Sequence, residues 1–476
     1  MRYIVFVSLA LTLSACVVGP TYTGPPTVAA APEWTEPALT DPVDKTWWRV
    51  LGDPMLNELV QAAFEHNFDL RIAEAQVKEA RANRDAIAGG HYPQVNAAGS
   101  ATRNQLSAHG EIPIAQIPGF HRRFNLFDAG FDASWELDFW GRNARSIEAA
   151  TARAESATDA RRNIQLEVVA EVVRTYVSLR SAQARLTAAT DDADAEDLSA
   201  ALVSQQFEAG EASRSDALRS RAQASLTRSK IAPLQSDARA ASYALSVLTG
   251  QPAEMLTKLL DQAPILPDTP PSVGVGLRSD LLRRRPDILQ AERDLAAATA
   301  DVGAQTAELF PRVSLLAAGG QQAQHTGDLF SSLSTRYQVG PSFSWPIFVG
   351  GQIRAKIRGT DARSEAAKAR YERAVISAFA DSETAINRYA AACAESASLQ
   401  AARTQLKDAL HLAAQRHDAG EDDLLALLAA QSQYDNAEQS NLAAQAAALT
   451  ALASLYKALG GGWDMPAASA DGIHHP

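Results

Sequence analysis

The stretch that decides the fold is FDAGFDASWELDF, residues 127–139. Apolar and polar side chains alternate here for thirteen residues, whereas strands of soluble proteins usually run to about five or six. Because successive side chains of an extended chain point to opposite faces, the pattern predicts a strand with one aromatic and one acidic face. Alternation of this length is typical of outer-membrane strands, whose apolar face meets lipid and whose polar face lines a lumen. The predicted lumen-facing residues are Asp128, Asp132, Glu136 and Asp138.

A long helix is predicted directly after this strand, beyond Gly141. Apolar residues between Ile147 and Phe207 recur at spacings of three and four, with one extra four-residue step, as in a coiled-coil seam. Neither Pro nor Gly occurs between Arg142 and Ala209. Such a helix would span roughly 100 Å, whereas a compact globule of this chain length is about 60 Å across. We therefore expect an elongated molecule.

The second half of the sequence repeats the first. Asp69 aligns with Asp287 and Pro93 with Pro311, at an offset of 218 residues. The later anchors align at an offset of 210: Trp135 with Trp345, Gly141 with Gly351, Gly210 with Gly420, and Gly250 with Gly460. Each half therefore contains a helix, a strand, a loop, a strand, a long helix, a glycine turn and a returning helix. Pro233 predicts a kink in the first returning helix.

The repeat gives four membrane strands in a mainly helical chain. Four strands cannot close a membrane barrel, because the smallest known barrels have eight. An open sheet edge in lipid would leave unsatisfied backbone groups that cost several kcal/mol each. The barrel must therefore be shared between chains. Two chains would give eight strands around a filled interior, whereas three would give twelve strands around a channel.

The N-terminus predicts a targeting segment. Arg2 provides a positive start, and residues 4–13 form an apolar run too short to span a bilayer as a helix. Leu13-Ser14-Ala15-Cys16 resembles a bacterial lipobox, which implies cleavage before Cys16 and lipid attachment to it. An ordinary signal peptide cut near Ala15 is the alternative. No later segment has the ~18 consecutive apolar residues of a membrane helix, so any crossing must be made of strands.

Composition and motifs argue against several classes of function. The net charge is −11, and no segment combines a basic field with regular aromatic residues, so we expect no nucleic-acid partner. The two cysteines cannot form a disulfide framework. The sequence contains no HExxH, GxSxG or CxxC motif and no phosphate-binding glycine loop. We therefore expect no enzymatic activity, no metal and no cofactor.

The sequence resembles the TolC-like outer membrane factors, in particular the lipoprotein branch that serves resistance-nodulation-division (RND) multidrug efflux pumps. The matching motifs cover nearly the whole mature chain: Trp47-Trp48 with Gly52-Asp53-Pro54, residues 67–70, 281–287, Phe310-Pro311, residues 344–348 with Gly350-Gly351, and residues 459–463. The resemblance implies a homotrimer with a twelve-stranded β-barrel, a periplasmic helical barrel and an equatorial belt. It also implies three kinds of partner: a periplasmic adaptor protein, an inner-membrane RND pump and outer-membrane lipid.

The resemblance places the periplasmic entrance at the two glycine turns. Ala209-Gly210 and Ala419-Gly420 would meet the adaptor. Related proteins often carry an Asp nine residues after the second Gly, but this chain has Ala429 there. An acidic ring would then come from Glu421, Asp422 and Asp423, and the alternative is that these carboxylates cap the last helix. Further candidates for gate contacts are Asp216 and Arg219.

These inferences predict the passive exit duct of a tripartite efflux pump that conducts small toxic compounds. Two alternatives stay open: a type I protein secretion duct, and a structural envelope lipoprotein. The expected divisions of the chain are a signal peptide at 1–15, a lipid-anchored arm and equatorial segment at 16–60, repeat 1 at 61–250, an equatorial connector at 251–280, repeat 2 at 281–462 and a C-terminal tail at 463–476.

Overall fold

The computed structural model describes most of the chain. The described residues are 17–28, 31, 33–36, 39–107, 121–261, 266–270 and 273–463. Cys16, the predicted site of lipid attachment, lies outside them, as do most of the first hairpin loop and the C-terminal tail after Trp463.

The described elements form two similar series. The first series contains α1 (Pro54–His66), α2 (Phe68–Gly89), β1 (Gln94–Gln105), β2 (Arg123–Leu137), α3 (Arg142–Glu208), α4 (Arg214–Ser229), α5 (Ile231–Thr249) and α6 (Ala253–Leu260). The second series contains α7 (Leu281–Arg284), α8 (Pro286–Ala307), β3 (Arg312–Ala323), β4 (Thr335–Ser344), α9 (Gln352–Asp418) and α10 (Leu424–Ala458). Short 3₁₀ helices occupy Trp47–Leu51, Arg278–Asp280, Thr326–Asp328 and Ser332–Ser334.

The internal repeat is confirmed at the level of single residues. Helices α3 and α9 are each 67 residues long. They begin at Arg142 and Gln352 and end at Glu208 and Asp418, so both ends keep the offset of 210 that the sequence predicts. A helix of 67 residues is roughly 100 Å long at 1.5 Å per residue.

The four strands form one antiparallel sheet in the order β1-β2-β3-β4. Gly130 of β2 lies opposite Gly320 of β3. A Cβ atom at Gly130 would lie 2.5 Å from the carbonyl oxygen of Gly319, and one at Gly320 would lie 2.4 Å from that of Ala129. Only glycine fits at these two positions, and the pair allows the two hairpins to join closely at the centre of the sheet.

Strand β2 ends at Leu137, two residues earlier than the alternation predicts. Asp138 lies in the turn that follows, and its Oδ2 accepts a hydrogen bond from the backbone N–H of Ala144 at 2.8 Å. This carboxylate therefore satisfies one of the free N–H groups at the start of α3. The need to cap a helix overrides the continued alternation of the sequence.

Contacts divide the chain into two units. The first comprises residues 1–26, 77–157 and 291–371 and contains the sheet. Two indoles at equivalent positions of the repeat anchor its strand ends: Trp135 Nε1 donates to the carbonyl oxygen of His91 at 2.9 Å, and Trp345 Nε1 donates to that of Leu309 at 3.0 Å. The ring of Trp140 stacks on Phe310 at 4.6 Å between centroids. These contacts fix where strand gives way to helix.

The second unit comprises residues 27–76, 158–290 and 372–476. Trp47 is 1% exposed and stacks on Tyr456 of α10, with ring centroids 4.8 Å apart. Asp53 accepts hydrogen bonds from the backbone N–H groups of Met55 and Leu56 and so caps α1. The Trp47-Trp48 and Gly52-Asp53-Pro54 motifs therefore hold the N-terminal segment against the helices of this unit.

The kink predicted at Pro233 is confirmed as a break between two helices. Helix α4 ends at Ser229, and α5 begins at Ile231. Pro233 has no N–H to donate to the carbonyl of Ser229, and its ring clashes with that carbonyl in a continuous helix. Helix α10 has no proline and runs unbroken for 35 residues. Within the described ranges, no helix combines the length and apolarity needed to cross a membrane.

Candidate functional site

The two glycine turns have the same backbone geometry. At the first turn, Gly210 has φ +80°, and the N–H groups of Gly210 and Glu211 donate to the carbonyls of Phe207 and Gln206. At the second turn, Gly420 has φ +74°, and the N–H groups of Gly420 and Glu421 donate to the carbonyls of His417 and Arg416. Both are Schellman turns, in which a left-handed residue closes the helix. Glycine is favoured there because it has no Cβ.

The side chains at the two turns differ in charge. At the second turn the guanidinium of Arg416 donates two hydrogen bonds to the carboxylate of Asp422, at 2.7 and 2.9 Å. This pairing lowers the pKa of Asp422 and raises that of Arg416. Glu421 lies 4.0 Å from Arg416 and is 63% exposed. The second turn therefore carries an ion pair beside the solvent-facing carboxylate of Glu421.

Helix capping accounts for one of the three predicted gate carboxylates. Asp423 Oδ1 accepts a hydrogen bond from the backbone N–H of Ala426 at 2.9 Å, so this residue is the N-cap of α10. At the first turn, Ser213 and Asp216 form a reciprocal capping box. Hydrogen bonds from Ser213 lower the pKa of Asp216, and Arg219 lowers it further by charge. Asp423 and Asp216 therefore cap helices, whereas Asp422 is paired with Arg416.

The polar face of the sheet is hydrogen-bonded rather than a row of isolated carboxylates. Asp128 accepts from Gln322 Nε2 at 2.7 Å and from the guanidinium of Arg336 at 2.6 and 3.0 Å. Arg336 lies on β4 opposite Gly320, and it reaches Asp128 of β2 across this residue, which has no side chain. Asp132 accepts from Asn96 Nδ2 of β1 at 3.2 Å. The two carboxylates therefore connect all four strands.

The other two acidic residues of the opening stretch lie near the start of α3. Glu136 forms a two-fold hydrogen-bonded ion pair with Arg142, at 2.7 and 3.0 Å, and Asp138 caps the helix. Both contacts fix the angle at which the chain leaves the strand. The four predicted residues therefore form two groups: Asp128 and Asp132 lie on the sheet, and Glu136 and Asp138 lie at its junction with α3.

Sequence reasoning missed the cations that pair with these carboxylates. Arg142, Arg336 and Arg416 are not among the candidate residues that the sequence predicts. A signal existed for Arg416, since it stands six residues before Asp422 across a glycine turn that reverses the chain. None existed for Arg336, because its contact depends on the order and register of strands far apart in sequence.

The described residues contain no group of three or more His, Cys, Asp and Glu residues that could hold a metal ion. The geometry is that of a polar sheet face joined to long helices that end in charged turns.

Comparison with known proteins identifies the family. The family model for the outer membrane efflux protein matches residues 59–251 and 277–461. The chain is 30% identical to a pyoverdine export outer membrane protein of Pseudomonas aeruginosa in an alignment of 468 positions that covers 97% of each chain. It is 31% identical to a toluene efflux pump outer membrane protein of Pseudomonas putida in an alignment of 478 positions that covers 96% of each chain.

Solved structures show the same fold. The outer-membrane channel OprN superposes with a TM-score of 0.85 at 36% identity, covering 94% of this chain and all of that one. The MtrE outer membrane channel of Neisseria gonorrhoeae superposes with a TM-score of 0.79 at 27% identity, covering 94% of this chain and 99% of that one. The chain therefore belongs to the outer membrane efflux protein family, has the TolC-like fold and is a channel rather than an enzyme.

Proposed function

We propose that this chain is the exit duct of a tripartite RND-type pump and carries small toxic compounds from the periplasm to the exterior. The observation that carries the proposal is the duplicated unit of a membrane-type hairpin followed by a 67-residue helix. The duct is passive, and the energy comes from an inner-membrane pump that reaches it through a periplasmic adaptor. Two of the relatives are named for export of pyoverdine and efflux of toluene, which supports small molecules as cargo.

A homotrimer explains the exposed features of the sheet. Strands β1 and β4 are at its edges, and each edge needs a partner strand if it lies in lipid. The apolar face is exposed, with Phe131 at 64% and Phe343 at 67%. Three copies would pair all edges in a twelve-stranded barrel and turn this face toward lipid. Native mass spectrometry of the purified protein should give three times the chain mass, and a stable monomer would contradict the trimer.

The entrance is proposed to lie at the two turns, with the adaptor on Ala209-Gly210 and Ala419-Gly420. The Arg416–Asp422 pair and the Asp423 cap would hold the second turn in its closed form. Replacing both Asp422 and Asp423 by Ala should therefore raise single-channel conductance. The matched control is Asp408→Ala, which removes an exposed carboxylate of α9 away from the turn. Equal conductance in the double variant and the control would leave these residues with a structural role only.

The lipid anchor is a separate part of the proposal and rests on the Leu13–Cys16 motif alone. Cys16→Ser should abolish labelling of the protein with palmitate and weaken its retention in membranes, while the trimer still forms. Cys393→Ser is the matched control, since this cysteine lies within α9. Undiminished labelling of the Cys16→Ser protein would exclude lipidation at this residue.

The choice between efflux and protein secretion can be made in cells. Deleting the gene should lower tolerance to solvents and drugs, and the wild-type gene should restore it. A deletion strain that keeps its tolerance but fails to secrete one polypeptide would favour the type I secretion duct. A strain unchanged in both respects would favour a structural envelope lipoprotein.

A further inference from the structure

A cluster of carboxylates lies between α3 and α10, away from the turns. Asp192 of α3 lies beside Asp435 of α10, and Asp435 is 4% exposed. Gln431 Nε2 donates to the carboxylate of Asp435 at 2.6 Å. Two carboxylates can share a hydrogen bond only when one of them carries a proton. A hydrogen bond between Asp192 and Asp435 would therefore require a bound proton.

Glu196 extends the cluster by one turn of α3. It is 1% exposed, and the charge of Asp435 acts on it. Among the described residues, none makes a hydrogen bond of ordinary geometry to either of its carboxylate oxygens, although the side-chain amide of Gln223 lies beside it. A buried carboxylate without partners is costly as an anion, so it favours the protonated form.

The charges around the cluster do not balance it. Lys230 is the cation that acts on Asp192, Glu196 and Asp435, and its Nζ lies 3.4 Å from Asn436 Oδ1. Two further ion pairs stand nearby in the helices: Glu438 with Arg403 of α9, and Asp197 with Arg228 of α4. Their cations are already engaged. Full ionisation would therefore set three carboxylates against one lysine.

Burial brings the protonation of Asp192 into the physiological range. Burial, and then the charge of Asp435, raises the pKa of Asp192 to about 7. Burial also raises the pKa of Asp435 and of Glu196. A carboxyl whose pKa is raised in the folded state contributes stability at low pH, and this contribution is lost as the pH rises from its ordinary value of about 4 to its folded value.

We propose that Asp192, Glu196 and Asp435 form a proton-operated latch that holds α3 to α10. With a proton shared between Asp192 and Asp435, the two helices are joined by a hydrogen bond. Loss of that proton replaces the bond with repulsion between buried like charges, and the helices separate. Lys230 lies in the break between α4 and α5, where no continuous helix resists the movement. The link from this latch to conduction rests on the proposed channel function.

The first test measures the proton itself. Infrared difference spectra of the full-chain protein in nanodiscs should show a carboxylic acid band that disappears as the pH rises from 6 to 8, with a midpoint of about 7. Asp192→Asn and Asp435→Asn should each remove this band. Asp191→Asn, at the exposed neighbouring residue, should keep it. A wild-type protein without such a band, or a band that survives both cluster variants, would overturn the latch.

The second test measures the movement in planar bilayers. Single-channel conductance of the wild type should increase between pH 6 and pH 8, whereas Asp192→Asn should stay at the low-pH value because its amide keeps a hydrogen bond to Asp435. An equal increase in Asp192→Asn and the wild type would overturn the proposed movement. Absence of any pore would count against the channel function instead, and the infrared titration would still decide whether the latch exists.

Discussion

The two returning segments of the repeat begin and end alike but differ between their ends. Each starts after a Schellman turn and ends at another, at Gly250 and Gly460. Each of these two glycines lies against the last residue of another helix. Gly250 lies against His66, which ends α1, and Gly460 lies against Arg284, which ends α7. These four residues keep the offsets of 210 and 218. The repeat has therefore preserved its backbone junctions.

Between those junctions the two segments have diverged. The first is broken at Lys230, and its turn carries Glu208 and Glu211 and is closed by a capping box. The second is one helix of 35 residues, and the second turn, which precedes it, carries the Arg416–Asp422 pair. The glycine positions therefore determine the backbone turns that both repeats share. Proline determines which returning segment is broken, and the charged side chains determine which turn holds an ion pair. The following substitutions test that division.

The largest effect is expected from moving the break to the second segment. Ala443 is the position equivalent to Pro233 at the offset of 210. Ala443→Pro should lower the free energy of unfolding by about 3 kcal/mol, because proline inside a continuous helix removes a hydrogen bond and clashes with the carbonyl four residues earlier. Urea unfolding of the detergent-solubilised protein, followed by circular dichroism, measures it.

The reciprocal change is the control for this experiment. Pro233→Ala restores the N–H that could join α4 to α5, so it should be neutral or slightly stabilising. Equal destabilisation by both changes would mean that the break at Lys230 does not come from Pro233.

A smaller effect is expected at the C-terminal junctions. Gly250 has φ +63°, and an added Cβ would lie 2.6 Å from the backbone oxygen of His66. Gly250→Ala should cost about 2–3 kcal/mol of unfolding free energy, from the left-handed backbone and the steric conflict together. At Gly460 the nearest backbone atom is 3.2 Å away, so Gly460→Ala should cost only about 1–2 kcal/mol. If Gly460→Ala lowered the melting temperature more than Gly250→Ala, the steric conflict with His66 would not be what distinguishes the two junctions.

The smallest effect is expected in the pH dependence of hydrogen exchange at the second turn. Asp422 has a lowered pKa because of its hydrogen bonds to Arg416, so the pair is complete above the ordinary aspartate value of about 4 and is lost as the pH falls below it. Between pH 8 and pH 5 hydrogen exchange at the second turn, corrected for the intrinsic effect of pH, should therefore stay constant. Asp422→Asn should raise exchange there across this whole range. If hydrogen exchange at the second turn of the wild type changed near pH 7, the group that titrates there would lie at this turn rather than in the latch between α3 and α10.

The sequence predicts the framework because the framework depends on local signals. Alternation gives the strands, the uninterrupted stretch after Gly141 gives α3, and Gly210 and Gly420 give the turns. Contacts between distant segments carry no such signal. The pairing of Asp128 with Arg336 depends on the register of three strands, and the meeting of Asp192 with Asp435 depends on how two helices pack. The polar face of β2 could be predicted, but its partners could not.

The end of β2 shows how a correct pattern can give a wrong boundary. Alternation continues through Phe139, yet the strand stops at Leu137 because Asp138 caps α3. The proximity of Asp138 to a predicted helix start was visible in the sequence. Choosing between a lumen-facing side chain and a cap requires the geometry of the turn.

The proposed function requires that this chain assembles into a passive channel. Single-channel recording of the purified full chain in planar lipid bilayers tests it most directly. A passive channel should give uniform steps of ion current that need no nucleotide and no other protein. Absence of current steps, or steps that appear only with ATP, would contradict it.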